Sequence, residues 1–167
     1  VEREFLFIKP DTFVIFDRVV TVGDGVKRIW TLNTPGMPTI DGDHLSYAEA
    51  GHQLDVYRLA PVGLTTEITA ATVIGENVPG KRLEAVDSAG SQTLFLHVLT
   101  TAAPPISPYR SDIAGQTGAQ VALADGRSVL IRFANDGHGG TIDLRAADGS
   151  SQYNGPLPTT VTAPPLW

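Results

Sequence analysis

The chain predicts an all-β fold, an antiparallel two-sheet β-sandwich of supersandwich type, and three observations carry that expectation. Glycine and proline, 17 and 12 of 167 residues, are spread along the whole chain and divide it into short segments. No long stretch keeps apolar residues at the 3.6-residue period of a helix, while alternating or continuous β-branched and apolar runs recur between turn signals. The length fits one domain and is ample for a core, and there is no internal repeat at a fixed period.

The first element is a hairpin. Phe5-Leu-Phe-Ile8 and Phe13-Val-Ile-Phe16 are joined by Lys9-Pro-Asp-Thr12, where Pro10 suits the second position of a type I turn and Asp11 tolerates the next. Both runs are apolar on both alternating faces, so both strands are expected to be covered on two sides. A chain that opens inside a core, with no initiator methionine, implies that Val1 is a cut in a longer protein.

After a Gly23-Asp-Gly25 turn, Val26 to Asn33 reads as a third strand, with Arg28, Trp30 and Leu32 on one face and Lys27, Ile29, Thr31 and Asn33 on the other. Asp41-Gly42 marks a tight hairpin between Thr39-Ile40 and His44 to Ala48. Gln53 to Leu59 alternates, with Leu54 and Val56 opposite Asp55 and Tyr57. Thr65 to Ile74 reads as a strand through its β-branched content, with a short helix as the alternative. Gln92 to Leu99 has the unbroken apolar character of a central strand, and Thr100 to Pro108 reads as an exposed connection. Ala119 to Leu123, Ser128 to Ala134 and Thr141 to Arg145 then form a meander, broken by Asp125-Gly126 and the Asn135 to Gly140 loop. A further turn at Asp148-Gly149 precedes a proline-rich tail. The expected division is a sandwich over residues 1–155 and an extended arm over 156–167, with Trp167 packed onto the body or simply ending the arm.

The net charge of −6 and the lack of any basic stripe argue against nucleic acid as a partner. With no cysteine there is no disulfide, thiolate metal site or catalytic cysteine. No apolar run reaches the roughly 18 residues of a membrane-spanning helix, so no membrane partner is expected.

The order of the opening pieces, Arg3 to Val19, then Lys27-Arg-Ile-Trp-Thr-Leu32, then Pro38 with the Asp41-Gly42 turn, resembles the C-terminal β-sandwich region of heparinase II/III-like polysaccharide lyases. The likeness covers about the first 60 residues by motif and the rest by strand pattern. It implies a bacterial, periplasmic or secreted enzyme that cleaves an acidic polysaccharide, glycosaminoglycan or alginate, by β-elimination. It also implies an α/α-toroid and further sandwich preceding this part in the same chain. In that chemistry a base takes the proton at C5, polar groups neutralise the uronate, and an acid protonates the leaving oxygen. The family's catalytic Tyr and His lie mostly in the toroid and the early sandwich, so no catalytic residue is assigned here. Where the family often has Leu-His at a metal site, this chain has Leu32-Asn33, and a neutral amide is a poor zinc ligand, so neither a metal nor any other cofactor is carried over.

Asn33, His44 and Tyr47 are the candidate substrate-binding residues. Asn33 ends the strand whose exposed face is expected nearest substrate, while His44 and Tyr47, three apart on a strand, point to opposite faces and fail as a local acid-base pair. His97, amid Phe95 and Leu99, reads as a hydrogen-bonded core or face histidine, and Trp30 as core rather than a sugar platform. Asp17 and Arg18 are each expected to pair with a neighbouring strand. The His138 loop lacks the run of acidic ligands that calcium requires. No nucleophile elbow, phosphate loop or carboxylate pair for glycoside hydrolysis is present. An independent carbohydrate-binding or adhesion module is the other reading, and an exposed aromatic strip would favour it; Tyr47, Tyr57, Tyr109 and Tyr153 are its scattered candidates.

Overall fold

The computed structural model describes residues 1–72, 79–101 and 106–157, and no helix occurs among them. The strands in chain order are β1 (Glu2–Ile8), β2 (Thr12–Val20), β3 (Arg28–Thr34), β4 (Thr39–Asp41), β5 (His44–Glu49), β6 (His52–Ala60), β7 (Thr66–Thr72), β8 (Pro79–Asp87), β9 (Gln92–Thr100), β10 (Tyr109–Arg110), β11 (Gln116–Ala122), β12 (Ser128–Ala134), β13 (Gly140–Arg145) and β14 (Ser151–Pro156). They form a six-stranded sheet in the order β1-β2-β9-β6-β5-β4, a five-stranded meander β10 to β14, and a three-stranded sheet β3-β8-β7. Every pairing is antiparallel.

The expected sandwich is formed, and the six-stranded sheet is its middle layer. One face packs on the five-stranded sheet: Val14, Phe16, Leu96 and Val98 meet Val121, Val129, Ile131 and Phe133. Phe16 and Phe133 stack with ring centroids 4.9 Å apart. The other face packs on the three-stranded sheet, where Trp30, Leu83 and Ala85 meet Leu45, Val56 and Phe95. Burial on both faces explains the unbroken apolar run of β9, which lies between β2 and β6. Each fully buried side chain of this size stabilises by roughly 1.5–3 kcal/mol.

Buried arginines tie strand ends to loops. Arg18 donates to the Ala134 carbonyl at 2.7 Å and to Glu4, joining the first hairpin to the five-stranded sheet. Arg28 donates to Thr93 and to the carbonyls of Ala89 and Gly90, and so fixes the loop between β8 and β9. Arg58 bonds Asp43, Thr66 and the Leu64 carbonyl, clamping two turns together. Asp17 accepts from Arg3 at 2.5 and 2.9 Å, so Asp17 and Arg18 each pair with the neighbouring strand β1 as their alternation requires.

Several expectations change. Among the described residues nothing covers the outer face of β1: Phe5 is 59 % and Phe7 43 % exposed, while β3 of the three-stranded sheet makes its contacts to β9. The Lys9–Pro10 peptide in the hairpin turn is cis. β8, the central strand of the three-stranded sheet, has no clear sequence signature, since it opens on Pro79-Gly80 and carries Lys81, Arg82 and Glu84. Ile106, placed in the exposed connection by composition, is buried in the core. Pro156 closes β14 and Leu157 is buried, so the body extends past residue 155. The arm from 158 onward, including Trp167, and residues 73 and 74 of the expected seventh strand lie outside the described residues.

Candidate functional site

The β4–β5–β6 end of the middle sheet holds the only two of the three candidates that share an element, and the pleat separates them. Register pairs His44 with Tyr57 and Tyr47 with Leu54. Leu54 faces the three-stranded sheet and Tyr57 the other face, so His44 and Tyr47 lie on opposite faces, as their spacing requires. Asn33 is exposed on the outer side of the three-stranded sheet, opposite Arg82 of β8. The three candidates therefore occupy three different surfaces.

His44 is the most organised of them. Its Nε2 lies 2.8 Å from Oδ1 of Asp55, and Gln53 donates to Oδ2 of the same carboxylate at 2.7 Å. The His44 ring stacks on Tyr57 at 4.4 Å and an interplanar angle of 6°. Asp55 is almost wholly buried while the His44 side chain is 37 % exposed, so a buried acceptor orients a solvent-facing imidazole. With Nε2 turned toward the carboxylate, Nδ1 is the ring nitrogen left to meet another partner. Tyr57 has its pKa raised, by burial first and by the Asp55 charge second, which keeps its phenol protonated near neutrality. The cluster can orient a proton acceptor or hold a hydroxyl-bearing ligand. The Asp55 partnership escapes sequence reasoning because it is a diagonal across two strands. Its available signal is that Asp55 and Tyr57 share a face and that β5 must pair with β6 through the Ala50-Gly51 turn.

Tyr47 lies on the other face and donates to Glu49 at 2.6 Å, an interaction that raises its pKa. A Cβ at Gly36 would stand 3.2 Å from the Tyr47 ring, so the glycine permits the close approach of the β3–β4 connection. Beside it an open cleft of about 390 Å³ is lined by Tyr47, Glu49, His52, Leu54 and Thr101. This cleft is mostly apolar and shallow.

Between the middle and three-stranded sheets, Trp30 stacks on His97 with centroids 3.7 Å apart. Both rings are buried, and among the described residues neither Trp30 Nε1 nor His97 Nδ1 has a hydrogen-bond partner. The sequence placed Trp30 in the core and His97, hydrogen-bonded, in the core or on a face; His97 is in the core, and among the described residues its Nδ1 has no hydrogen-bond partner. The His97 pKa is pushed down to about 3, by burial first and then by the charges of Arg58 and Arg3. The adjoining cavity of about 20 Å³ has room for one water and none for a sugar ring. Trp30 is thus a core residue.

The Asn135 to Gly140 loop is held from within the protein. Ala134 N donates to the Gly139 carbonyl, Asn135 N to the Gly115 carbonyl, and Gly139 N to Glu4 at 3.1 Å. Gly140 has φ of 156°, and a Cβ there would fall 1.8 Å from the Arg132 carbonyl oxygen, so the strand entry requires glycine. Among the described residues no three His, Cys, Asp or Glu side chains gather as metal ligands, and no helix is long and apolar enough to cross a membrane.

No family model matches the chain, and neither a curated protein nor a solved structure matches it.

Proposed function

We propose that this chain is the C-terminal all-β domain of a heparinase II/III-like polysaccharide lyase, itself non-catalytic, which packs against the remaining sandwich and an α/α-toroid and so fixes the walls of the substrate cleft. The observation that carries this reading is the uncovered face of β1 and β2. Exposed Phe5 and Phe7 and half-buried Phe13 form one aromatic cluster, with centroid separations of 5.4 Å for Phe5–Phe13 and 4.5 Å for Phe7–Phe13. A contiguous apolar patch of this kind marks a surface that another part of a protein covers. The dispersal of Asn33, His44 and Tyr47 over three surfaces supports an accessory role, since an elimination site needs base, acid and carboxylate-neutralising group around one sugar. In the full-length enzyme the reaction would act on an acidic polysaccharide outside the cytoplasm. The net charge of −6 gives this part little power to attract such a substrate, so substrate capture falls to other parts of the enzyme.

The test is a β-elimination assay, following ultraviolet absorbance of unsaturated uronate ends, on the full-length protein and on this chain with heparan, chondroitin, hyaluronan and alginate. Activity of the full-length protein alone supports the reading; silence from both, with a folded full-length protein, overturns it.

An independent carbohydrate-binding module is favoured only by the same exposed phenylalanines. Tyr109 and Tyr153 are exposed at opposite edge strands of the five-stranded sheet and make no strip. Sugar platforms also need hydrogen-bonding groups beside the ring, whereas Phe5 and Phe7 border Ile15 and Leu99, and nearby Arg3 is engaged by Asp17. Affinity electrophoresis in gels containing the same four polysaccharides separates the two readings, because retardation of the isolated chain favours the module.

A further inference from the structure

We infer that the open half of the middle sheet is the docking site of one extended polypeptide strand, which pairs with the free edge of β3 and lays alternate apolar side chains on Phe5, Phe7 and Phe13. This deepens the reading above and rests on it in one respect, that this chain is part of a larger β assembly.

The first ground is width. The middle sheet has six strands and the sheet covering this face has three. β3 ends that smaller sheet, and its contacts, Arg28 to Thr93 and Trp30 to His97, place it over β9. Beyond it lie β1 and β2. At about 4.8 Å per strand the uncovered width is about 10 Å, room for one or two further strands.

The second ground is the edge itself. Exposed edges are usually protected by charge, proline or short length. β14 carries Pro156, β7 carries Glu67, β1 carries Glu2, Arg3 and Glu4, and β4 and β10 have three and two residues. β3 is seven residues long, and after the buried Arg28 its sequence Ile29-Trp-Thr-Leu-Asn-Thr34 holds no charge and no proline. Among the described residues no backbone bond reaches it from the side away from β8. Among the described edges it shares this lack of protection only with the Phe5–Ile8 half of β1, and it adjoins the aromatic floor.

The third ground is continuity. Leu32, Leu99 and Val19 are partly buried hydrophobics of the cluster beneath this sheet; Val19 belongs to β2 and Leu99 pairs with Phe13 of β2, so the cluster runs on into the aromatic floor. A strand beside β3 would complete the same core with the same kind of contact. Strand addition supplies affinity through main-chain bonds and specificity through alternate side chains. The occupant is therefore an extended segment with apolar residues at every second position.

The probe is a synthetic nine-residue peptide alternating valine with threonine and lysine, titrated into the 167-residue chain while amide hydrogen exchange is read by NMR. The expected result is at least tenfold slower exchange at the outward amides of β3, with shifts in the Phe5, Phe7 and Phe13 ring signals. Phe7→Ser should weaken binding at least tenfold while β9 protection stays unchanged, which shows that the variant is folded. The inference is overturned by unchanged β3 exchange at millimolar peptide, or by protection of β1 instead. It is also overturned if protection appears only after residues 158–167 are deleted, which would make the chain's own tail the occupant. Ring shifts produced by chondroitin oligosaccharide without β3 protection overturn it in favour of glycan binding. Strand binding in a protein whose full-length form is silent in the elimination assay removes the lyase reading and leaves the docking site standing.

Discussion

The two faces of the middle sheet differ in completeness. On one face the five-stranded sheet covers β2, β9 and part of β6, and Phe16, Leu96 and Val98 are wholly buried. On the other, the three-stranded sheet covers the β9 to β4 side and leaves Phe5, Phe7 and Phe13 beside it. The same strand, β2, contributes to both: Phe16 is enclosed and Phe13 is half-buried. The runs Phe5–Ile8 and Phe13–Phe16 are apolar on both faces, so residue type alone does not distinguish the faces there; what differs is the number of strands supplied by the covering sheet.

The largest separation should come from truncating matched phenylalanines. Phe16→Ala should cost about 3–5 kcal/mol in urea unfolding, because it removes a fully buried ring stacked on Phe133. Phe7→Ala should cost under about 1.5 kcal/mol, since the ring already meets solvent and loses little burial. Comparable losses would show that the two faces are equally enclosed.

Next in size is the buried Arg28. Arg28→Met strands the Ala89 and Gly90 carbonyls and should cost about 3 kcal/mol by the same unfolding measurement. Arg145→Met, at an exposed pair with Asp143, should change stability by less than about 1 kcal/mol.

A third prediction uses the buried histidine of the half-covered face. The folded pKa of His97, about 3, lies below its ordinary 6.5. The unfolded chain therefore takes up the proton first as pH falls. The stability contribution is complete above about pH 6.5 and is lost as pH falls toward 3, at roughly 1.4 kcal/mol per pH unit inside that window. His97→Gln should remove this slope between about pH 6 and pH 4.5. Asp87 adds a loss only lower: burial opposes its ionisation, but the Thr93 hydroxyl, the Ala89 amide and Arg28 outweigh it and hold its pKa below 3.8. An unchanged slope in the variant would contradict the burial of His97.

The smallest effect is expected at Asn33. Asn33→Ala on the exposed outer face should alter stability by less than about 0.5 kcal/mol. Under the proposed lyase reading the full-length protein carrying this variant should bind acidic polysaccharide more weakly, and unchanged turnover and affinity would remove Asn33 from the proposed cleft wall.

What the sequence made legible follows from local period and turn chemistry. The continuous run of β9 announced a strand covered on both faces, and the alternation of β3 placed Trp30 inward and Asn33 outward. β8 stayed hidden because its inward residues are only Leu83 and Ala85 amid charges, and its role as a centre strand comes from long-range pairing with β3 and β7. The first hairpin misled in the opposite sense. Its apolar character on both faces implied a covering surface for each, but among the described residues the five- and three-stranded sheets do not reach the outer face of β1, where Phe5 and Phe7 stay exposed. The candidate site was legible only as single residues, since the Asp55 contact with His44 depends on a register that no local pattern specifies.

The most direct measurement is amide hydrogen exchange of the 167-residue chain, comparing β3 with β9. An incompletely covered face predicts that the β3 amides not bonded to β8 exchange within the dead time or close to it, while those of β9, paired on both sides, exchange only through global unfolding. Uniform protection of β3 at the level of β9 would mean that its edge is already occupied, and would contradict the account.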